Sequence, residues 1–170
     1  MNTTTRVLLA AAIVVSLGAC TKRTREELPP EPTTPPPTAT APSTTAGAYT
    51  PEDLDRDACL RQRVVYFDFD QDTLRSEFQQ IIGCHAKYLR DRPMARITLE
   101  GHADERGSRE YNLGLGERRA NAVNSALTGA GGQASQLTVV SYGEERPVCT
   151  QSGESCWQQN RRVEIVYTAR

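Results

Sequence analysis

The sequence has little of what a metal enzyme or a nucleic-acid-binding protein needs. It contains two histidines, His85 and His102, whereas a catalytic zinc site uses several His and carboxylate ligands. It has no closely spaced Cys-x-x-Cys pairs of the kind that hold structural zinc. Its 20 Lys and Arg against 21 Asp and Glu give a formal net charge of -1, so nothing points to a nucleic acid. We therefore expect no metal, no cofactor and no nucleic-acid partner.

The apolar run near the N-terminus is too short to cross a membrane. It covers residues 7–17, about eleven residues, and a spanning helix needs roughly 20. A short apolar run behind a single cation, Arg6, is instead typical of an export signal. The run ends in Leu-Gly-Ala followed directly by Cys20, and this quartet resembles the lipobox of bacterial lipoproteins.

The lipobox resemblance implies that residues 1–19 are a signal peptide and that Cys20 begins the mature chain. Its thiol would carry a diacylglyceryl group and its amine a further acyl chain, and two or more chains give stable anchoring. Thr21 follows the cysteine, where an Asp would favour the inner membrane by analogy. We therefore expect a lipid anchor at the periplasmic face of the outer membrane. The alternative is an ordinary secreted protein in which Cys20 stands by chance.

Residues 20–50 form a block rich in Pro, Thr and Ala. The block has too few apolar residues to offset the loss of chain entropy, so we expect a disordered tether. Its prolines favour polyproline II, which gives a length of roughly 90 Å near full extension. A proline-rich ligand for an SH3-type domain is the alternative, and behind a lipidated cysteine a spacer is favoured. Residues 51–170 remain, the size of one domain with a single core.

Four cysteines remain once Cys20 is set aside: Cys59, Cys84, Cys149 and Cys156. An even number in an exported domain predicts two disulfides, with three possible connectivities. The residues between Cys149 and Cys156 are typical of a surface loop, which favours that pair and leaves Cys59 with Cys84.

Four segments are rich in β-branched and aromatic residues or alternate between apolar and polar side chains, as strands do. They are residues 63–69, 95–100, 136–142 and 162–167. Residues 143–157, between the last two, are expected to form a polar loop closed by its own cysteine pair.

Two helices are expected between these strands. Residues 70–73 offer capping side chains, and apolar residues from Leu74 to Leu89 fall on one helical face. The second helix is expected to run from residues 107–108 to about Leu127. The order is then β-α-β-α-β-β, an α/β sandwich in which two main helices cover one face of a four-stranded mixed sheet.

Several motifs follow one another in this part of the chain. They are Val-Tyr-Phe-Asp-Phe-Asp at 65–70, Leu-Glu-Gly-His-Ala-Asp-Glu-Arg-Gly-Ser at 99–108, Tyr-Asn-Leu-Gly-Leu-Gly-Glu-Arg-Arg-Ala-Asn-Ala-Val at 111–123, Val-Ser-Tyr-Gly-Glu-Glu-Arg-Pro at 140–147 and Asn-Arg-Arg-Val-Glu-Ile at 160–165. Together they resemble the OmpA C-terminal-like domain family, and within it the peptidoglycan-associated lipoproteins. The resemblance covers residues 64–167 and implies that family's sandwich fold.

The resemblance implies noncovalent binding of peptidoglycan through the meso-diaminopimelate of its stem peptide. The free end of that residue is a zwitterion, with an ammonium beside a carboxylate. In the family pattern the Asp that closes Gly-His-Ala-Asp, here Asp104, takes the ammonium. The second Arg of Glu-Arg-Arg, here Arg119, takes the carboxylate, which its planar fork matches. The alternative is that Asp104 caps the following helix and that Arg119 is a solvated surface charge.

Five further residues are expected to support this site. Phe69 and Asp70 end the first strand at one wall of the family's groove. Leu115 lies one helical turn before the candidate arginine, where it can pack on the aliphatic stem of the ligand. Asn112 is expected to order the loop before its helix, and His102 either to orient the groove or to contact the ligand.

Other residues receive structural interpretations. His85 falls on the apolar helical face, so a core histidine is favoured over a ligand. Arg161 and Arg162 are expected to form ion pairs at the last strand, and Trp157 to pack on the neighbouring disulfide.

The resemblance implies a binding protein and not an enzyme. It also implies a TolB-like periplasmic partner and a link between outer membrane and cell wall in the Tol-Pal system, used in envelope integrity and cell division. An OmpA-like lipoprotein scaffold outside that system is one alternative. A peptidoglycan hydrolase is disfavoured, because it needs metal ligands, a marked pair of carboxylates or a free thiol. Nothing further marks Glu100 and Asp104 as such a pair.

Overall fold

The computed structural model describes residues 47–170, whose main helices and strands follow the predicted order. The helices are α1 (Asp53–Arg56), α2 (Gln79–Asp91), α3 (Arg109–Gly129) and α4 (Glu154–Asn160), with 3-10 turns at Ser76–Phe78 and Ala134–Gln136. The strands are β1 (Val64–Tyr66), β2 (Arg96–His102), β3 (Leu137–Gly143) and β4 (Arg162–Ala169). Within this range no helix combines the length and the apolar character needed to span a bilayer.

The four strands form one mixed sheet in the order β1-β4-β2-β3. Strand β4 runs antiparallel to both β1 and β2. Strands β2 and β3 are parallel, as a crossover through the long helix α3 requires. The predicted α/β sandwich with a four-stranded mixed sheet is therefore confirmed.

The core lies between the sheet and helices α2 and α3. Alternate strand residues such as Leu99 and Ile165 are fully or almost fully buried, and their strand neighbours are less so. Helix α2 contributes Ile82 and Leu89 to the same core, and α3 contributes Val123. The apolar spacing seen in the sequence therefore corresponds to the buried face of α2.

Helix α3 lies closest to the sheet where two glycines meet. A Cβ on Gly101 of β2 would stand 1.9 Å from the carbonyl oxygen of Gly116 on α3. Arg119 lies three residues further along α3, almost one helical turn. The contact therefore places its guanidinium beside the end of β2.

Helix α2 begins at Gln79 rather than at Leu74, so the predicted start was wrong. Arg75 is extended, with φ -72° and ψ 145°, and a 3-10 turn precedes the helix. The carbonyl oxygens of Asp68 and Gln71 accept hydrogen bonds from Arg119. The loop before α2 is therefore held by a side chain from α3 and not by helical hydrogen bonds.

The segment expected to be a polar loop, residues 143–157, contains the start of helix α4. That expectation was wrong at its C-terminal end, because this helix has no apolar period of its own. Its buried residues are Cys156 and Asn160. The Asn160 side chain accepts from the backbone N–H groups of Val148 and Cys149 and donates to the Cys149 carbonyl. Tertiary contacts of the loop therefore define the helix.

Both favoured disulfides are present. Cys59–Cys84 ties the segment after α1 to α2, with 6.2 Å between the Cα atoms. Cys149–Cys156 ties the loop to α4, with 5.3 Å between the Cα atoms. The predicted signal peptide, Cys20 and most of the predicted tether lie outside the described residues.

Tyr49, near the end of the predicted tether, packs on the domain. Its ring is buried, with its centroid 6.1 Å from that of Tyr88. Its backbone N–H donates to the Asp91 carboxylate over 2.9 Å. Core packing on α2 therefore begins at Tyr49.

Candidate functional site

One cavity of about 280 Å³ brings together six of the seven residues expected at the site. The six are Phe69, Asp70, Asp104, Asn112, Leu115 and Arg119, and the lining also includes Arg106, Gly107 and Tyr111. These residues come from the loop after β1, the loop after β2 and the first half of α3. We call this space the binding cavity.

The seventh residue, His102, does not line the binding cavity. Its ring is buried and stacks on Tyr142, with 5.6 Å between the ring centroids. Its carbonyl oxygen accepts a hydrogen bond of 2.9 Å from Nη1 of Arg119. Burial lowers the pKa of His102 to about 4, so its ring is neutral near pH 7. His102 supports the site through its backbone.

Arg119 is fully buried and donates only to neutral acceptors. Its Nε, Nη1 and Nη2 atoms donate to the carbonyls of Gln71, His102 and Asp68 at 2.8, 2.9 and 3.1 Å. A guanidinium has five N–H groups, so two are left for another acceptor. Within residues 47–170 no ion pair involves Arg119; the buried pair at this site joins Asp104 and Arg161.

Burial also affects the ionisation of Arg119. Desolvation lowers the pKa of its guanidinium to about 10, against the opposing effect of Asp104, so the side chain stays cationic at neutral pH. A buried cation without an anionic partner is unfavourable unless an anion completes it. The alternative of a solvated surface charge was therefore wrong, because Arg119 is fully buried and keeps two N–H groups beyond its three carbonyl bonds.

Asp104 is almost completely buried and its carboxylate is fully engaged. Oδ1 accepts from the backbone N–H and the Nε of Arg106, both at 3.1 Å. Oδ2 accepts from Nη2 of Arg106 at 2.7 Å and from Nη1 of Arg161 at 3.2 Å. Burial raises the pKa of Asp104, but these hydrogen bonds outweigh it and hold the pKa below its usual value. Asp104 is therefore an anion near pH 7.

Asp104 is not the cap of α3. The cap is Ser108, whose Oγ accepts from the backbone N–H of Tyr111. The loop between Asp104 and the helix is held by Asn112, whose amide donates to the Asp104 carbonyl at 3.1 Å. The capping alternative for Asp104 was wrong, and its side chain lines the binding cavity.

The outer wall of the binding cavity is aromatic. Phe69 is 54% exposed although it is a large apolar side chain. Across the opening, the Tyr111 hydroxyl donates to the carboxylate of Asp70. Asp70 adopts a φ of 55°, which turns the chain after β1. Leu115, 5% exposed, adds an apolar side chain to the lining.

The ion pairs expected of Arg161 and Arg162 are confirmed. Arg161 is buried and bonds Asp104 and Glu154, and its Nε donates to the Phe67 carbonyl at 3.1 Å. Arg162 pairs with Glu164 at 2.7 Å. Arg161 is therefore part of the support for Asp104.

Sequence reasoning did not single out Arg106, Gly107 and Tyr111 as lining residues. All three lie within or directly beside the motifs that mark the site, and Tyr111 precedes Leu115 by four residues on α3. Helical spacing could have found Tyr111, because positions four apart share a helix face. No spacing rule gives the position of the Arg106 side chain.

The sandwich fold is that of OmpA-like domains. The family model described as "OmpA family" matches residues 66–161 of the chain. The chain is 36% identical over 167 residues to a peptidoglycan-associated lipoprotein of Pasteurella multocida, covering 98% of this chain and 100% of that protein. It is 49% identical over 113 residues to one of Pseudomonas aeruginosa, covering 66% of this chain and 67% of that protein. The chain therefore belongs to the OmpA family, as one of its peptidoglycan-associated lipoproteins.

A solved structure agrees with this assignment. The crystal structure of the peptidoglycan-associated lipoprotein from Burkholderia pseudomallei matches with a TM-score of 0.67 and 42% identity, over 68% of this chain and 98% of that chain. None of these three relatives carries the name of an enzyme.

Proposed function

We propose that this protein binds peptidoglycan noncovalently through the meso-diaminopimelate residue of the stem peptide. The observation that carries the proposal is Arg119, a buried cation that lines the binding cavity with two N–H groups left over after its three carbonyl bonds. The side-chain carboxylate of diaminopimelate is an anion of the shape that a guanidinium fork takes.

The ammonium beside that carboxylate is assigned to Asp104. Asp104 and Arg119 line the same cavity, and their opposite charges interact, since Asp104 raises the pKa of Arg119. An anion and a cation at one cavity suit a zwitterion better than a ligand of one charge. The site is therefore expected to discriminate by charge pattern as well as by shape.

The apolar lining suits the carbon chain of the ligand. Leu115 is almost completely buried, whereas Phe69 and Tyr111 are about half exposed. Aromatic side chains bury a large apolar area when a ligand covers them. We expect the aliphatic stem of diaminopimelate to lie against these three side chains.

The cellular role extends the same proposal. The lipobox at Cys20 supports a lipid anchor at the periplasmic face of the outer membrane, and the named relatives are peptidoglycan-associated lipoproteins. The protein then links outer membrane and cell wall, as part of the Tol-Pal system in envelope integrity and cell division, with a TolB-like periplasmic partner.

Calorimetric titration with a diaminopimelate stem peptide tests the binding site. The mature chain, residues 20–170 with Cys20→Ser to prevent lipidation, is expected to bind saturably. Asp104→Ala and Arg119→Ala are expected to lose binding while circular dichroism shows that they remain folded. Arg170→Ala is the matched control, because Arg170 is half exposed, pairs with Asp55 and does not line the binding cavity.

Two results would overturn parts of the proposal. A folded parent protein that gives no binding would refute the diaminopimelate site and leave a scaffold role. If cross-linking in intact envelopes traps no TolB-like protein while peptidoglycan is still bound, the protein acts outside the Tol-Pal system.

A further inference from the structure

The Asp104 carboxylate has no room for an additional donor in this structure. A carboxylate offers about four acceptor positions, and four donors already occupy Asp104. Three of them belong to Arg106: its backbone N–H, Nε and Nη2. The fourth is Nη1 of Arg161. A ligand ammonium therefore needs one of these donors to leave.

Arg161 is fixed in its place. It is 2% exposed, and besides Asp104 it bonds the Phe67 carbonyl and the side chains of Glu154 and Gln158. Withdrawing it would take a donor from the buried Phe67 carbonyl and separate the buried Arg161 cation from Asp104, which is strongly unfavourable. The backbone N–H of Arg106 is equally fixed by the loop.

The Arg106 side chain can leave. It is 29% exposed, and its guanidinium carbon lies 3.9 Å from the ring centroid of Phe69 and 4.1 Å from that of Trp157. Its Nη2 also lies 3.7 Å from a carboxylate oxygen of Glu154, a side chain that is 61% exposed. A short outward movement exchanges Asp104 for Glu154 and keeps the guanidinium beside an aromatic ring.

We propose that Arg106 is a resident cation of the ammonium subsite, and that its displacement from Asp104 toward Glu154 and Trp157 determines ligand affinity and specificity. The inference rests on the proposed function and names the residue that the ligand displaces. A ligand with a carboxylate but no ammonium cannot replace Arg106 at Asp104, so it is excluded from the ammonium subsite and binds through Arg119 alone. Neutral groups are excluded for the same reason.

Helix α4 affects the site through this movement of Arg106. It supplies both Glu154 and Trp157, and it is tied down by the Cys149–Cys156 disulfide and by the Asn160 hydrogen bonds. The cysteine-bracketed segment therefore acts on ligand affinity through Arg106, although none of its residues lines the binding cavity.

The test compares the mature chain, residues 20–170 with Cys20→Ser, with Arg106 variants in titrations with the diaminopimelate stem peptide. Arg106→Ala and Arg106→Gln are expected to bind roughly tenfold more tightly, because a charge-assisted bond no longer has to be broken. Arg109→Ala removes the same charge from an exposed pair with Glu145 and is expected to leave affinity unchanged.

Two further readouts report the movement itself. Trp157 is the only tryptophan of the chain, so its fluorescence should change as the parent is saturated and stay constant in Arg106→Ala. Glu154→Gln keeps an amide oxygen for Arg161 but weakens the acceptor for displaced Arg106. It is expected to lower affinity several-fold in the parent and to have no effect in Arg106→Ala.

The outcomes separate this inference from the proposed function. Equal or weaker binding by both Arg106 variants, with the affinity of Arg109→Ala unchanged, overturns the proposal that Arg106 occupies the ammonium subsite. Saturation of the parent without a change in Trp157 emission overturns it as well. Binding by the parent together with tighter binding by Arg106→Ala supports both proposals. Binding by neither protein overturns both.

Discussion

His85 on helix α2 and Tyr167 on strand β4 meet inside the core, with 2.7 Å between Nδ1 of His85 and the Tyr167 hydroxyl. The other ring nitrogen, Nε2, lies 2.9 Å from the Gln62 carbonyl. A carbonyl only accepts, so Nε2 carries the proton and Nδ1 accepts from the hydroxyl. The neutral ring therefore satisfies both contacts. His85 is a core histidine, as the sequence predicted.

This buried histidine makes stability depend on pH. Burial lowers the pKa of His85 from 6.5 to about 4, so between these values the unfolded chain binds a proton that the folded chain does not. The contribution of His85 to the free energy of unfolding is fully present above pH 6.5 and is expected to fall by on the order of 3 kcal/mol as pH drops to 4. His102, whose pKa burial also lowers to about 4, acts in the same direction.

Urea denaturation at a series of pH values measures this effect. His85→Gln is expected to be less stable than the parent at pH 7. Between pH 6.5 and 4 its free energy of unfolding is expected to fall with pH about half as steeply as that of the parent, because His102 remains. A parent protein whose unfolding free energy is constant over this window contradicts the prediction.

Gly101→Ala is expected to destabilise the domain and displace α3. The new Cβ would stand 1.9 Å from the Gly116 carbonyl oxygen and 2.6 Å from its carbon, both of which are backbone atoms. The expected loss is roughly 1–3 kcal/mol or more, with weaker ligand binding because Arg119 moves with the helix. Urea denaturation and titration measure the two effects.

Gly83→Ala is the matched control. Gly83 lies inside α2 and nothing stands within 4 Å of its would-be Cβ. Alanine there is expected to stabilise the domain by roughly 0.5–1 kcal/mol. If both variants behaved alike, the close approach of α3 to β2 would not be a determinant of stability.

The two disulfides are expected to contribute unequally. Their sequence separations are 25 for Cys59–Cys84 and 7 for Cys149–Cys156, which correspond to about 3.5 and about 2.4 kcal/mol of loop-closure entropy. Paired Cys→Ser variants in thermal and urea denaturation measure each contribution. A larger loss from the shorter loop would show that packing of α4, and not chain entropy, dominates there.

A stem peptide with lysine in place of diaminopimelate is expected to bind poorly. Lysine keeps the ammonium but lacks the distal carboxylate, so Arg119 stays without an anionic partner. The expected loss is roughly tenfold to hundredfold in affinity. Competition between the two peptides for the same protein measures it, and equal affinities would mean that Arg119 does not bind the distal carboxylate.

Local sequence pattern was sufficient for the main elements of the fold. Alternation along β2 and the helical spacing of Ile82 and Leu89 both result from burial of one face, and such a pattern can be read from the order of residues alone. The start of α2 was not predictable in the same way, because Arg119 from a distant helix holds the carbonyls of Asp68 and Gln71.

The site residues that belong to a motif could be predicted. A side chain whose position depends on contacts with several distant segments could not. Asp104 and Arg119 followed from the motifs that carry them. The position of Arg106 depends on Phe69, Trp157 and Asp104, which come from three separate segments. Helix α4 was missed for a similar reason, since Cys156 and Asn160 become buried only when the sheet has formed.

The position of β4 in the sheet also determines when the domain can fold. This strand, Arg162–Ala169, follows all the other described elements in sequence, yet it pairs with both β1 and β2. Until it is made, the chain lacks the strand that joins the two, so the core cannot close before residues 162–169 have been synthesised. The pairing of β4 with two strands that precede it by many residues therefore makes closure of the sheet a late step of folding.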